Sequence, residues 1–449
     1  MRISKLVRYL LSRNREYLFP IIGSSLIHWS LGFAYTLGNI IPYIASYMSL
    51  SGKNYVGIGN MCWIEGVFVL VQGASNYTYI LSMNYLRYSA ILFAGVFCSS
   101  LGLFLSYLFL DNLLVYTLSY SIIYAAGHGI LYSSTIELVS NFYGKELSSN
   151  IMGILWLFRG LSTAVIPSVQ TLIVNPKDIY YNLVYNNDKL FSNLSVIERI
   201  PKLFQFMFIF STITQLVGSV VLMKGIRNIE NNKENSTKEI SKSKLFEVSD
   251  ITSSESFKIL WLIAFLTWPC IQHIQLYWKI HGIFNTKLGD KQLSRMSSIT
   301  LLSHTFFRIF WGVFGEIVGY LNCICTLTSI LISGLLLLMF PLFESTSIVQ
   351  YVVGYILVSI AHSGTSVVFP SILVGTFGSS KFFISFLLLF TAKALSCFLF
   401  CLLTELTTKY LNLQYSLIPL LIFSIGSFFL SFILKDTRSK YLSIEQEIV

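Results

Sequence analysis

Apolar residues in this chain come in runs of membrane length, not in the strict alternation of strands or the narrow stripes of soluble amphipathic helices. A helix that crosses a bilayer takes about 20 residues at about 1.5 Å each. Runs of that length fall at about 18–40, 56–80, 88–109, 113–141, 149–173 and 203–224. Six more fall at about 257–279, 296–317, 321–341, 348–376, 383–404 and 413–434. The stretch at about 224–256, "KGIRNIENNKENSTKEISKSKLFEVSDITSSES", separates the two sets; it is rich in Asn, Ser, Lys and Glu and too weakly apolar to fold alone. The pattern predicts an all-α polytopic membrane protein with 12 transmembrane helices in two six-helix bundles, 1–223 and 257–449, joined by a polar linker at 224–256. Repeated bundles of this kind hold their substrate near the bilayer midplane.

Composition sharpens the class. Only 12% of the 449 residues are charged and the mean hydropathy is +0.67, whereas soluble domains carry about 25% charged residues. The net charge of +10 does not point to nucleic acid, because the basic residues flank the apolar runs. Arg2, Lys5, Arg8, Arg13 and Arg15 precede the first, and Lys435, Arg438 and Lys440 follow the last. With Lys224, Arg227, Lys233, Lys238, Lys242 and Lys244 of the linker they place both termini in the cytoplasm. Lys279, Lys287, Lys291 and Arg295 oppose that rule, since the same topology puts 279–295 outside and Asp290 offsets only one of them. The loop at 174–202, expected outside by the same topology, carries the glycosylation pattern Asn193-Leu-Ser195. The basic N-terminal stretch runs into a segment long enough to span, so the first helix is expected to be a retained insertion signal. The seven cysteines lie in or beside apolar runs and form no CxxC pair, which suits small packing residues. The histidines show no zinc spacing, so neither metal nor cofactor is expected.

Charges inside the spans are the candidate chemistry, because a central charge costs about 2.5–3.5 kcal/mol on insertion scales. Lys393 sits mid-run in "ISFLLLFTAKALSCFLFCLL" and Arg308 mid-run in "SHTFFRIFWGVFGEIVGY". Each stands roughly 15 Å from a membrane face, too deep for easy snorkelling. No Asp or Glu of the second half lies at that depth, so the two cations suit an anion. Gly312, Glu316 and Gly319 form a Gly-x-x-x-acid-x-x-Gly face, a candidate gating motif in which the glycines allow close helix approach. In the first half Glu65, Glu137 and Arg159 are intramembrane, and Arg159 is expected to pair with one of the two glutamates. Glu65 and His28 are proton-coupling candidates; Tyr35 and Tyr132, weighed equally against ordinary core contact, are candidates to flank a flat carboxylate.

The segments "FFRIFWGVFGEIVG" and "LLLFTAKALSCF" resemble the eighth and eleventh helices of the oxalate:formate antiporter branch of the major facilitator superfamily, close to monocarboxylate transporters. "FKILWLIAF" and "GHGILYSS" are similar to its seventh- and fourth-helix stretches, and "GNIIPYIASYM" with "YGKELSSNIMG" resembles apicomplexan members. The resemblance implies the major facilitator fold and substrate carboxylates held by Arg308 and Lys393. The chain departs from the family in "LSMNYLRY", which keeps only Arg87 of its motif, in Ile317 after Glu316, and in Lys145 without a following Trp-Phe-Pro.

The expected function is secondary active transport of small organic anions, mono- or dicarboxylates, by alternating access, as an exchanger or a proton-coupled carrier. Alternatives are another carboxylate-bearing metabolite or vitamin such as pantothenate, or a receptor that binds without translocating. An enzyme is not expected, since no H-x-x-x-x-D or D-x-D constellation is present. The expected partners are the anion, the bilayer and protons, without nucleic acid; the chain is expected to be a monomer, in the plasma membrane before an organellar one.

Overall fold

The computed structural model describes residues 15–52, 55–82, 85–185, 188–233, 248–339 and 347–434. Arg2, Lys5, Arg8, Arg13, Lys238, Lys242, Lys244, Lys435, Arg438 and Lys440 lie outside the described residues, as do the side chains of Arg15, Lys145, Arg227 and Lys233. Nearly all the described chain is helical, as a bilayer demands: with no water to bond backbone polar groups, the helix satisfies them internally. The helices are α1 (Phe19–Leu31), α2 (Leu37–Ser51), α3 (Cys62–Ser82), α4 (Tyr88–Leu108), α5 (Leu113–Thr117), α6 (Ala125–Val174), α7 (Leu194–Ile197), α8 (Ile200–Lys233), α9 (Glu255–Asn285), α10 (Asp290–Val318), α11 (Tyr320–Met339), α12 (Ser347–Tyr410) and α13 (Leu417–Ser431).

Ten described segments are long and apolar enough to cross a membrane, and their bounds follow the apolar runs closely. The first two expected spans are not among them, for different reasons. A 3-10 stretch, Gly32–Thr36, splits the first into α1 and α2. The second, α3, carries Glu65, Gln72, Ser75 and Asn76, all buried, which dilute its hydropathy. Two spans fall within α6, Leu113–Tyr143 (with α5) and Ile151–Val174. Two more fall within α12, where Gly378 at φ +75° interrupts the helix.

The chain forms two compact units: residues 1–56, 71–177 and 191–238 in one, and 57–70, 178–190 and 239–449 in the other. In the first, α1 and α4 each pack on α6 and α8. The contact stripe is Ile27 and Leu31 of α1, Tyr88, Leu92 and Val96 of α4, Leu131 and Leu138 of α6, and Leu222 and Ile226 of α8. The spacings of four and seven put each set on one helix face. Lipid is as apolar as leucine, so burial alone does not hold such helices together and close packing must. Accordingly α1 crosses α8 through Gly23 and Gly218, where a Cβ on either would meet the other's carbonyl oxygen at 2.5 or 2.7 Å.

In the second unit α9, α10 and α11 pack on α12, and α13 packs on α9 and α11. The piece 178–190 includes a hairpin, β1 (Leu183–Tyr185) and β2 (Asp188–Leu190), with Val184 opposite Lys189. It places opposite charges at opposite helix ends, as the helix dipole favours. Asp178 Oδ1 accepts the Lys291 backbone N–H (2.8 Å) at the start of α10, and Lys189 Nζ donates to the Ile283 carbonyl (3.1 Å) at the end of α9. Asn193 of the glycosylation pattern caps α7, its Oδ1 accepting from the N–H and hydroxyl of Ser195.

Lys279 is not a loop residue. It lies inside α9 and meets Asp290 at 2.6 Å, with neither side chain exposed. The pair is neutral and removes one of the four cations that oppose the expected topology. Removing one partner strands a buried charge and costs about 3–5 kcal/mol, whereas replacing both by apolar residues is often neutral. Lys279→Met is therefore expected to lower the thermal midpoint of the purified protein sharply, and Lys279→Met with Asp290→Leu to recover most of the loss. Equal losses in the two would show that the ion pair is not what holds this corner.

Candidate functional site

The second unit gathers polar side chains from α3, α9, α10 and α12. His304 and Arg308, one turn apart on α10, share a face. The His304 ring stacks on that of His362 from α12, with centroids 4.3 Å apart and planes at 27°. Gln275 of α9 donates from Nε2 to His362 Nδ1 at 2.8 Å, so His362 is the neutral tautomer with its proton on Nε2. Arg308, half-buried, and Lys393, 8% exposed, both act electrostatically on His362. The two cations expected to serve one anion thus both lie within electrostatic reach of one imidazole.

Lys393 has a further neighbour. The segment 57–70 belongs to this unit and brings Glu65, whose carboxyl lies in the field of Lys393 and accepts a hydrogen bond from Gln272 Nε2. The expectation that no carboxylate reaches the depth of Lys393 is corrected on this point. Chain order assigns Glu65 to the first bundle, but packing assigns it to the second unit. Counting Arg308, Lys393 and Glu65, one positive charge remains in excess. A small cavity beside them is lined by Glu65, Gln272, His273, Tyr277, Cys397 and Phe400. A larger cleft of the unit lies elsewhere, among Leu260, Val318, Tyr320, Ser371, Thr376 and Phe432, and touches none of these polar groups.

The first unit brings Tyr35 and Tyr132 together on Arg159. The guanidinium carbon stands 4.4 Å from the Tyr35 ring centroid and 4.9 Å from that of Tyr132, and Arg159 Nη2 donates to the Tyr35 hydroxyl at 2.7 Å. Both Tyr132 and Arg159 belong to α6, where a straight helix would hold them about 40 Å apart, so the chain reverses between its two spans. Gln72 Nε2 meets His128 Nδ1 at 3.1 Å, which leaves the His128 Nε2–H for the Leu31 carbonyl (3.1 Å). That carbonyl lies at the break between α1 and the 3-10 stretch. Tyr116, Tyr120 and Tyr124, spaced by four, run as a ladder of ring contacts toward His128 through a π-helical stretch at Leu118–Tyr124. Arg159 does not pair with Glu137: among the described residues no salt bridge joins them, and Glu137 faces Asn141, Tyr79 and Tyr88 instead.

Other expected residues lie apart from these clusters. His28 is fully buried and donates from Nε2 to Thr135, whose own hydroxyl is spent on the Leu131 and Tyr132 carbonyls. Gly312 and Gly319 are not points of close helix approach, since a Cβ on either meets no atom within 4 Å. Gly319 instead ends α10 at φ +88°, and the exposed Glu316 lies beside it. The packed glycine of that motif is Gly315, against the Tyr320 ring. Sequence reasoning missed the His304–His362 stack and its glutamine support; the spacing of four from His304 to Arg308 was the available signal.

With this geometry in view, the chain can be set beside known proteins. No family model matches it. It superposes on a crystal structure of the nucleoside transporter NupG with a TM-score of 0.66 at 12% identity, over 92% of this chain and 99% of that one. A POT family transporter in complex with 5-aminolevulinic acid gives 0.63 at 12% identity, over 93% and 95%. The fold is that of an all-α polytopic membrane protein, shared with these two transporters. In sequence the chain is 19% identical to a curated protein named apicoplast pyruvate carrier 2, from Toxoplasma gondii, over 88% of this chain and 78% of that one.

The seat of Tyr35 depends on Gly32, where a Cβ would meet Ser162 Oγ at 2.5 Å and the Arg159 carbonyl at 3.1 Å. Gly32→Ala is expected to overpack this crossing and cost about 1–3 kcal/mol in thermal stability. Ser162→Gly in the same chain should restore part of it. A neutral Gly32→Ala would show that the crossing has room to give.

Proposed function

We propose that this chain is a secondary transporter of small organic anions, with monocarboxylates as the leading substrate class, working by alternating access. The observation that carries this reading is that two intramembrane cations, Arg308 and Lys393, both bear electrostatically on His362, with the Glu65 carboxyl in the field of Lys393. Two bare cations would favour a dicarboxylate; two cations with one internal carboxylate match a substrate with one negative charge. The name of the Toxoplasma relative, a pyruvate carrier, agrees with a monocarboxylate. It also makes an organellar membrane a second reading beside the cell surface.

In this reading Arg308 supplies a planar fork matched to a carboxylate, and Lys393 a point charge whose field Glu65 tunes. Protonation of Glu65 would raise the local charge and strengthen anion binding; its deprotonation would weaken it. That sign links inward movement of an anion to a proton, so proton symport is favoured over exchange. Pantothenate or another carboxylate-bearing metabolite would use the same pair, and counterflow of labelled substrate separates a carrier from a receptor.

Uptake of labelled pyruvate, lactate and oxalate into proteoliposomes tests the reading. Arg308→Gln and Lys393→Gln are each expected to lower carboxylate uptake by at least about tenfold, the scale of a lost charge-assisted hydrogen bond. Parent-like transport in both folded variants would refute the anion site. In Glu65→Gln, an inwardly directed proton gradient is expected to lose its stimulation of uptake; an unchanged response would remove Glu65 from the coupling.

A further inference from the structure

Arg159 is a buried cation without a carboxylate. It is 9% exposed, no acid forms a salt bridge with it among the described residues, and its Nε has no hydrogen-bond acceptor. A lysine or glutamate in such a place can shed its charge, but a guanidinium cannot, because it stays protonated at any pH a protein survives. The charge must therefore be stabilised in place.

Two aromatic rings do part of this. Tyr35 and Tyr132 lie within 5 Å of the guanidinium carbon, and their electron-rich faces attract a cation. The Tyr35 hydroxyl takes one N–H. His128 also approaches, at 3.4 Å, but its Nε2 proton is already spent on Leu31, so the ring offers Arg159 packing rather than an acceptor. Rings cover faces and leave edges. The edge bearing Nε is the one a planar carboxylate engages in the bidentate, fork-to-fork manner.

We propose that Arg159 is an anion-binding residue of the first unit: its guanidinium, fixed by Tyr35 and Tyr132, receives the carboxylate of a small organic anion on its Nε edge. The inference rests on the carboxylate reading above and extends it to a cation that belongs to neither the Arg308 nor the Lys393 segment. It changes the role of the two tyrosines, which hold the arginine in register by covering its faces.

Thermal unfolding of the purified full-length chain in detergent tests it, with sodium pyruvate and sodium oxalate as probes and sodium chloride at equal ionic strength as control. The parent midpoint is expected to rise with either carboxylate, by mass action on the folded state. Arg159→Gln is expected to keep its probe-free midpoint within a few degrees of the parent, since it removes a buried charge that no carboxylate neutralises, and to need at least about tenfold more probe for the same shift. Arg159→Lys keeps the charge but loses the fork and should fall in between; Tyr35→Phe keeps the ring, loses the hydroxyl, and should weaken the response less. A parent-like response in Arg159→Gln overturns the inference. So does a collapsed probe-free midpoint in Arg159→Gln combined with a parent-like response in Arg159→Lys, the signature of a purely structural arginine. If the parent itself neither shifts nor takes up either probe, the carboxylate reading falls and this one with it. If Arg308→Gln loses the response and Arg159→Gln keeps it, only the inference about Arg159 fails.

Discussion

A charge enclosed in a helix bundle has to be matched by something the bundle supplies, and three buried cations here are matched in three different ways. Lys279 is matched by a carboxylate in direct contact. Lys393 is matched through the field of Glu65, whose carboxyl is itself steadied by Gln272. Arg159 is matched by aromatic faces and one phenol. The three solutions differ in finality. A contact ion pair is complete in itself; a cation balanced at a distance or by ring faces keeps donors for something else. That difference separates the structural charge from the candidate binding charges.

Most of the fold is legible in the sequence because the bilayer imposes one rule on every span, and apolar length reports it directly. The bounds of α4 and α11 follow the apolar runs almost residue for residue. What hydropathy could not convey is where polar residues are buried. The run expected to end at 279 continues to Asn285, because Lys279 reads as a loop charge until its partner eleven positions along is seen in contact (290 − 279 = 11). The split of the first span at Gly32–Thr36 carries no periodicity signal; it reflects how closely α1 must approach Ser162.

The site was half legible for the same reason. Arg308 and Lys393 stand out because a charge in an apolar run is costly wherever it points. Their company does not stand out: His304, His362 and Gln275 are unremarkable in sequence, and Glu65 lies in the wrong half by chain order. Arg159 was read with the expectation that cations seek carboxylates. Tyr35 and Tyr132, far apart in the chain, meet it only after the chain turns back within α6.

The Lys279–Asp290 pair also constrains how the protein is made. During membrane insertion α9 emerges before α10, and an α9 released alone would carry a bare ammonium among lipid tails. The acid that neutralises it opens the very next helix. The ammonium and its carboxylate neutralise each other only when both helices are in place, so the pairing of α9 with α10 is favoured by the charge each would otherwise leave buried. Their order of synthesis and their short connection thus form part of the folding instruction, alongside the contacts of the finished structure.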